Sequence, residues 1–482
     1  MNILIAIVQF LVNEVLSKPA YLVGLMTAIG LIAMRKPWGA VFGGLLKSTL
    51  GFLILGAGAG VVIAALTPLG TAILGATGAN GVVPTNEAIV AMAQSQYGAA
   101  VAWVMFLGFL VSLVIARFTP LHYVFLTGHH IFYMATMLTV ILVVAQLGPL
   151  LVVIVGAILL ATIMVIMPAF AHPWMKKVTG GEAVAMGHFG SLGYIAAGVT
   201  GQLVGGNSKS TEDIKFPESL RFLRDSMVAT SLSMIIIYLI VGIAYLLRVD
   251  QATAFKAFGA TSVSNYIMSC LAQALQFGVG VAVILLGVRT ILAEIVPAFA
   301  GIAERIVPNA VPALDCPVAF PYAPNAVLIG FLSSFVGGLV SLLLIAVLFG
   351  PLLGLALILP GMVPHFFTGG AAGVFGNATG GRRGAALGAF VNGVLITFLP
   401  AFLLLVLGAL GFANTTFGDA DFGWFGIVTG NVVRLGPVAG LIGLAIVVVA
   451  LLALASWFQR RFVDSGWEPQ RRGAPAPQVK AG

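Results

Sequence analysis

Apolar runs alternate with short polar breaks along almost the whole chain. The first run covers 19–34 and ends at Arg35-Lys36, and the next, 38–69, is interrupted by Gly51, Gly56, Gly58 and Gly60. Others follow at 99–117, 130–147, 149–170, 228–247, 273–295, 326–349, 352–363, 384–412 and 433–457. A run of about 20 apolar residues can cross a hydrocarbon core as a helix, whereas barrel strands would alternate every second residue. The pattern therefore predicts an all-α integral membrane protein with roughly ten or eleven spans. Residues 1–18 carry Asn2, Gln9, Asn13 and Glu14, which fits an amphipathic helix lying in the interface. Segment 71–98 turns polar and predicts an interfacial helix and loop, and 251–272 is ambiguous between the interface and a span.

One break stands apart. Val311 to Asn325 reads VPALDCPVAFPYAPN, with Asp315 among Pro312, Pro317, Pro321 and Pro324. Proline removes a backbone donor and restricts the residue before it, so this stretch is not a regular helix. Irregular backbone at membrane depth persists only where it is enclosed by protein or lines a wet cavity, and a carboxylate there marks a functional site. The alternative is a surface loop with a solvated aspartate.

Composition sharpens the class. The 482 residues are 60% hydrophobic and 8% charged, with a mean hydropathy of +1.10, far from the soluble average. Net charge is +8. In a membrane protein this reflects basic cytoplasmic loops and not nucleic-acid binding. Residues 171–227 form the longest polar stretch and carry Lys176, Lys177, Lys209, Lys215, Arg221 and Arg224, which assigns them to the cytoplasmic side. The tail from Gln459 is basic and rich in Pro, Gly and Ala, so it reads as disordered and cytoplasmic. Cys270 and Cys316 have no metal-ligand spacing and imply no disulfide. No cleavable signal is evident at the amino terminus.

Two further polar breaks contain histidine: LTGHHIF at 126–132 and MGHFG at 186–190. Imidazole donates and accepts hydrogen bonds near neutral pH, which suits a polyhydroxylated ligand, although a buried structural role is equally open. His129 and His130 are adjacent and predicted to face different sides of a helix, which argues against a metal. FTGG at 367–370 opens a glycine-rich stretch without a Gly-Lys-Ser/Thr signature, so it is no nucleotide loop. Its glycines serve either helix packing or a helix N-terminus facing a solute. The order Arg, special site, TG element recurs in both halves, through MRKP, Gly58 and LTGHHIF and then through GVR, Asp315 and FTGGAAGVF. Repeats with interrupted helices at matching places point to a transporter binding site.

MRKP at 34–37, GFLILGAGAG at 51–60, LTGHHIF at 126–132, GVRTILAE at 287–294 and DCPVAFPYAPNAV at 315–327 resemble the L-ascorbate permease family, the IIC membrane component of a bacterial phosphotransferase system. The resemblance implies about eleven membrane helices in two inverted repeats, each with a V-shaped scaffold part and a core part. The repeats would cover 1–227 and 228–457, followed by a cytoplasmic tail at 458–482, in a homodimer of the bacterial inner membrane. It also implies that ascorbate is exposed inward and phosphorylated by a separate IIB phosphocysteine protein, itself served by a IIA protein. The chain would therefore be a transporter component without a cofactor. Matched residue by residue, the family's solute pocket keeps Gly58, His129, His188 and Asp315. It departs at Glu87, where the family has tyrosine, and at Tyr133 and Phe189, where it has glutamine. An ionised Glu87 would repel anionic ascorbate. A related sugar acid or polyol is thus a competing solute, and a same-fold transporter not coupled to phosphorylation is a competing mechanism. Glu87 would then be a proton carrier, or simply a helix-start carboxylate held by the macrodipole.

Overall fold

The computed structural model describes residues 18–78, 81–214, 226–407 and 415–470. Residues 1–17 of the expected amphipathic segment 1–18, the basic residues between 215 and 225, and the tail beyond 470 lie outside them. Helix α1 (Pro19–Ala33) starts with proline at its first turn and stops at Arg35, whose φ of 57° turns the chain into α2 (Trp38–Thr77). The succession then runs β1 (Gly81–Pro84), α3 (Asn86–Phe118), β2 (Tyr123–Phe125), α4 (Gly128–Val144), α5 (Pro149–Thr179), β3 (Ala185–Met186) and α6 (Ser191–Val204). The second half follows with α7 (Ser226–Arg248), α8 (Gln251–Phe258), α9 (Val263–Ile306), β4 (Val311–Leu314) and a 3-10 helix at Cys316–Tyr322. It is completed by α10 (Pro324–Leu344), β5 (Leu357–Ile358), α11 (Met362–Leu407), β6 (Thr415–Thr416), α12 (Ala420–Val433) and α13 (Pro437–Phe458). Among the described residues, eight helices are long and apolar enough to cross a membrane. The chain is an all-α membrane protein apart from its short strands.

Several sequence expectations change in detail. Polar segment 86–98 is no interfacial loop, because it is the first third of α3. Two of its polar side chains, Asn86 and Gln94, are buried, and Gln94 donates to Thr136 of α4 at 3.1 Å. The expected loop 171–227 contains the end of α5 and all of α6, and the expected run 352–363 holds β5 and not a span. Gly51 and Gly58 lie within the continuous helix α2. They let α2 lie against α9, where a Cβ on Gly58 would fall 2.7 Å from Ile284 N and 2.9 Å from Gly280 O. FTGG lies inside α11 and not at its start, with Gly369 and Gly373 packed on Gly330 of α10. The start of the expected tail is ordered. Gln459–Val463 continues α13 as a π-helical turn, because buried Gln459 accepts the Tyr123 hydroxyl at 2.8 Å and donates to Asp464 at 2.9 Å.

α11 is a hairpin in all but name. Gly381 takes φ 60° and ψ −149°, a region that side chains avoid, and beyond it the helix folds back so that Gly376 and Gly384 meet backbone to backbone.

The six strands form two parallel sheets, ordered β5-β1-β6 and β2-β4-β3. Each takes its central strand from one half of the chain and both flanking strands from the other. Backbone that leaves a helix inside a membrane must find partners within the protein, and this exchange supplies them. Leu126 N–H, for example, donates to Ala313 O at 3.0 Å, and Gly187 N–H to Leu314 O at 2.6 Å.

Candidate functional site

All three strands of the β2-β4-β3 sheet run the same way, so their carboxyl ends deliver the following residues to one place. His129 follows β2, Asp315 follows β4 and His188 follows β3. The predicted break of regular helix at 311–325 is realised as a strand and a 3-10 helix, with Asp315 between them accepting Cys316 N–H at 2.7 Å. His129 Nε2 lies 3.4 Å from Asp315 Oδ2, and His188 Nε2 lies 3.8 Å from Asp315 Oδ1. Both separations exceed a charge-assisted hydrogen bond, so neither ring saturates the carboxylate. Asp315 and His129 keep 37% and 30% of their side chains open, while His188 keeps only 4%. Asp315 and His129 open onto a recess of about 380 Å³ whose other walls include Thr127, Gly128, Leu292, Val296 and Val318. A polar floor with apolar walls suits a small hydroxylated solute.

The second sheet delivers another polar group to the same region. Asn86 follows β1 and Asp419 follows β6, and Asn86 Nδ2 donates to Asp419 Oδ2 at 2.8 Å while its carbonyl accepts Gly418 N–H at 2.8 Å. His130 Nε2 reaches toward Asp419 Oδ2 at 3.9 Å, and its ring meets that of His188 at a 48° tilt with centroids 3.8 Å apart. His130 thus links the ends of the two sheets. Glu87 sits in the first turn of α3, close enough to act electrostatically on both Tyr133 and Asp419. Tyr133 lies one turn along α4 from His129, buried, and its hydroxyl has no hydrogen-bond partner.

Of the seven sequence candidates, the structure gathers His129, His188 and Asp315 directly and sets Glu87 and Tyr133 beside them. Phe189 contributes backbone and not side chain. Its ring is fully buried on Phe125 with centroids 4.7 Å apart, and its N–H donates to His130 Nδ1 at 3.3 Å. Gly58 stays in the α2–α9 seam. Sequence reasoning missed Asn86, His130 as a linker, Asp419 and Asp421. The last two stand in GDAD at 418–421, two carboxylates in an apolar third of the chain, which was itself a signal.

The argument from adjacency against joint ligation by His129 and His130 does not hold. Both occupy the first turn of α4, and their ligand atoms lie within 4.8 Å of each other and of Asp315. Hydrogen bonding nevertheless points the rings to another task. His130 Nδ1 accepts Phe189 N–H, and His188 Nδ1 accepts Gly190 N–H at 3.0 Å with the Tyr194 hydroxyl 2.8 Å away. With Nδ1 accepting, a neutral ring carries its proton on Nε2, the nitrogen directed at Asp419 or Asp315. Those nitrogens are donors, suited to oxygen acceptors and unsuited to a metal ion.

Residues 14–421 match the model of the phosphotransferase-system sugar-specific permease component. The chain belongs to this permease family. A curated relative, the ascorbate-specific EIIC component of Mycoplasma pneumoniae, is 26% identical over 446 residues, which cover 83% of this chain and 66% of the relative. The match therefore spans just under two thirds of that relative's length. Within the permease family's matched region lie all the polar ends described above, Asp419 and Asp421 among them.

Proposed function

We propose that this chain is the membrane component of a phosphoenolpyruvate-dependent phosphotransferase system, moving L-ascorbate or a related sugar acid or polyol to a separate IIB protein for phosphorylation. The observation that carries the reading is Asp315, unsaturated at the floor of a recess and flanked by His129 Nε2 and by the protonated Nε2 of His188. Asp315 accepts solute hydroxyls, and His129 and His188 donate to solute oxygens. The ascorbate specificity of the Mycoplasma pneumoniae relative supports the solute class. The exchange of strands between halves supports two repeats, with the sheets and their loops moving as a rigid core against a scaffold containing the α2–α9 seam in a homodimer. The carboxyl terminus is cytoplasmic, in line with its basic residues Arg460 and Arg461.

Calorimetric titration of the purified protein with ascorbate, sugar acids and neutral polyols tests the site. Asp315→Asn and His188→Ala each weaken the saturable solute by about tenfold or more, as expected on losing a hydrogen bond to a charged or buried partner. Unchanged binding in both variants refutes the assignment.

A second mechanism is favoured by one observation, the gathering of Glu87 and Asp419 around Tyr133. These carboxyls would carry protons in a transporter that needs no phosphorylation. Uptake into vesicles that persists without any IIB protein selects this mechanism, and strict dependence on IIB selects the first.

A further inference from the structure

Asp421 is a fully buried carboxylate that reaches neither the recess nor Asp315. It lies in the first turn of α12, and its oxygens accept Ser191 N–H at 2.9 Å, Leu192 N–H at 3.0 Å and Trp424 Nε1–H at 3.0 Å. Its own N–H donates to Phe189 O at 2.8 Å. All but the indole bond end on 189–192, a segment about 230 residues earlier in the chain. The first N–H groups of α6 need acceptors, and Gly190 before the helix has no side chain to supply one. A carboxylate from the other half takes that place, with a charge suited to a helix N-terminus.

The same segment sets the pose of His188. Ser191 Oγ donates to His188 O at 2.7 Å, and Gly190 N–H holds the His188 ring through Nδ1. Displacing residues 189–192 therefore turns the imidazole and releases the tautomer that puts its proton toward Asp315. We propose that Asp421 is a positioning residue for solute binding, acting through His188 by clamping the 189–192 backbone. The proposal rests on the reading of His188 and Asp315 as solute-binding residues.

The test is a double-mutant cycle on the purified full chain, titrated with whichever solute of the ascorbate and polyol panel saturates the wild type. Asp421→Asn, nearly isosteric, weakens binding by about five- to tenfold, and Asp421→Asn combined with His188→Ala is no weaker than His188→Ala alone. Histidine ¹⁵N spectra provide a readout that a purely structural role leaves unmoved. His188 carries its proton on Nε2 in the wild type and divides it between both nitrogens in Asp421→Asn. Full additivity of the two losses, or unaltered binding in a folded Asp421→Asn, overturns the proposal while leaving the solute site standing. If His188→Ala itself binds normally, the solute site falls and this role with it. Should Asp421→Asn not fold, Trp424→Phe removes one of the donors to the same carboxylate. It then takes Asp421→Asn's place in the cycle with an expected loss of about twofold, and no loss overturns the proposal.

Discussion

In the proposed solute site, Glu87 is the position that departs most from the ascorbate permeases the sequence resembles. It shares the surroundings of Tyr133 with Asp419 and Asp315, so an anionic solute entering there meets carboxylates as well as donors. At the separations of such a pocket one charge contributes about 2 kcal/mol at an effective dielectric of 20. Glu87→Gln is therefore expected to tighten ascorbate binding by about thirtyfold and to leave a neutral polyol almost unaffected, as titration of both ligands checks. The reverse order, with the polyol lost and ascorbate unchanged, makes Glu87 a hydroxyl acceptor. Asp315, His129 and His188 were legible because they stand in broken, polar stretches between apolar runs. Asp419 was not, although GDAD also lies between two apolar runs, because its neighbours Phe417, Phe422 and Trp424 keep that break short of polar residues. Phe189 was legible only as a lost amide, since its contribution is a backbone N–H that every residue but proline possesses.

Among the elements, α2 and α9 show what closely spaced glycines do at a helix seam. The sequence places Gly56, Gly58 and Gly60 together, and their number suggested a kink or a ligand. The helix sorts them by face: Gly58 meets the backbone of α9, whereas Gly56 and Gly60 have open space where a side chain would stand. Backbone cannot yield as a side-chain end does, so Gly58→Ala is expected to destabilise by about 1–3 kcal/mol, while Gly56→Ala is neutral or stabilising. Thermal unfolding in detergent with both variants checks this, and equal behaviour of the two removes the seam from the account. Polar composition misled at 86–98. Asn86 and Gln94 read as surface, yet they face Asp419 and Thr136 inside the protein. In a span, polarity on one face records a polar partner as readily as it records water.

At the scale of the molecule, hydropathy made the all-α membrane class and most helix positions legible, because apolar length is what a bilayer selects. It was silent on the strands. Segments of two to four residues such as Leu357–Ile358 or Thr415–Thr416 carry no periodicity, and their partners lie hundreds of positions away. The hairpin in α11 was equally hidden, since Gly381 is one glycine among sixty and only its backbone angles distinguish it.

The exchange of strands also has a consequence for biosynthesis. A ribosome that has made residues 1–225 has delivered β1, β2 and β3, and none of them yet has its partner: β1 waits for 357–358 and 415–416, β2 and β3 for 311–314. Unpaired amides at that depth are costly in hydrocarbon, so the nascent first half has reason to remain at the insertion machinery until the second arrives. A gene cut after residue 225 should accordingly yield fragments that are each degraded when made alone and that protect one another when made together, as pulse-chase labelling would record. Survival of the first fragment by itself would mean that its strands find substitutes in water or in one another.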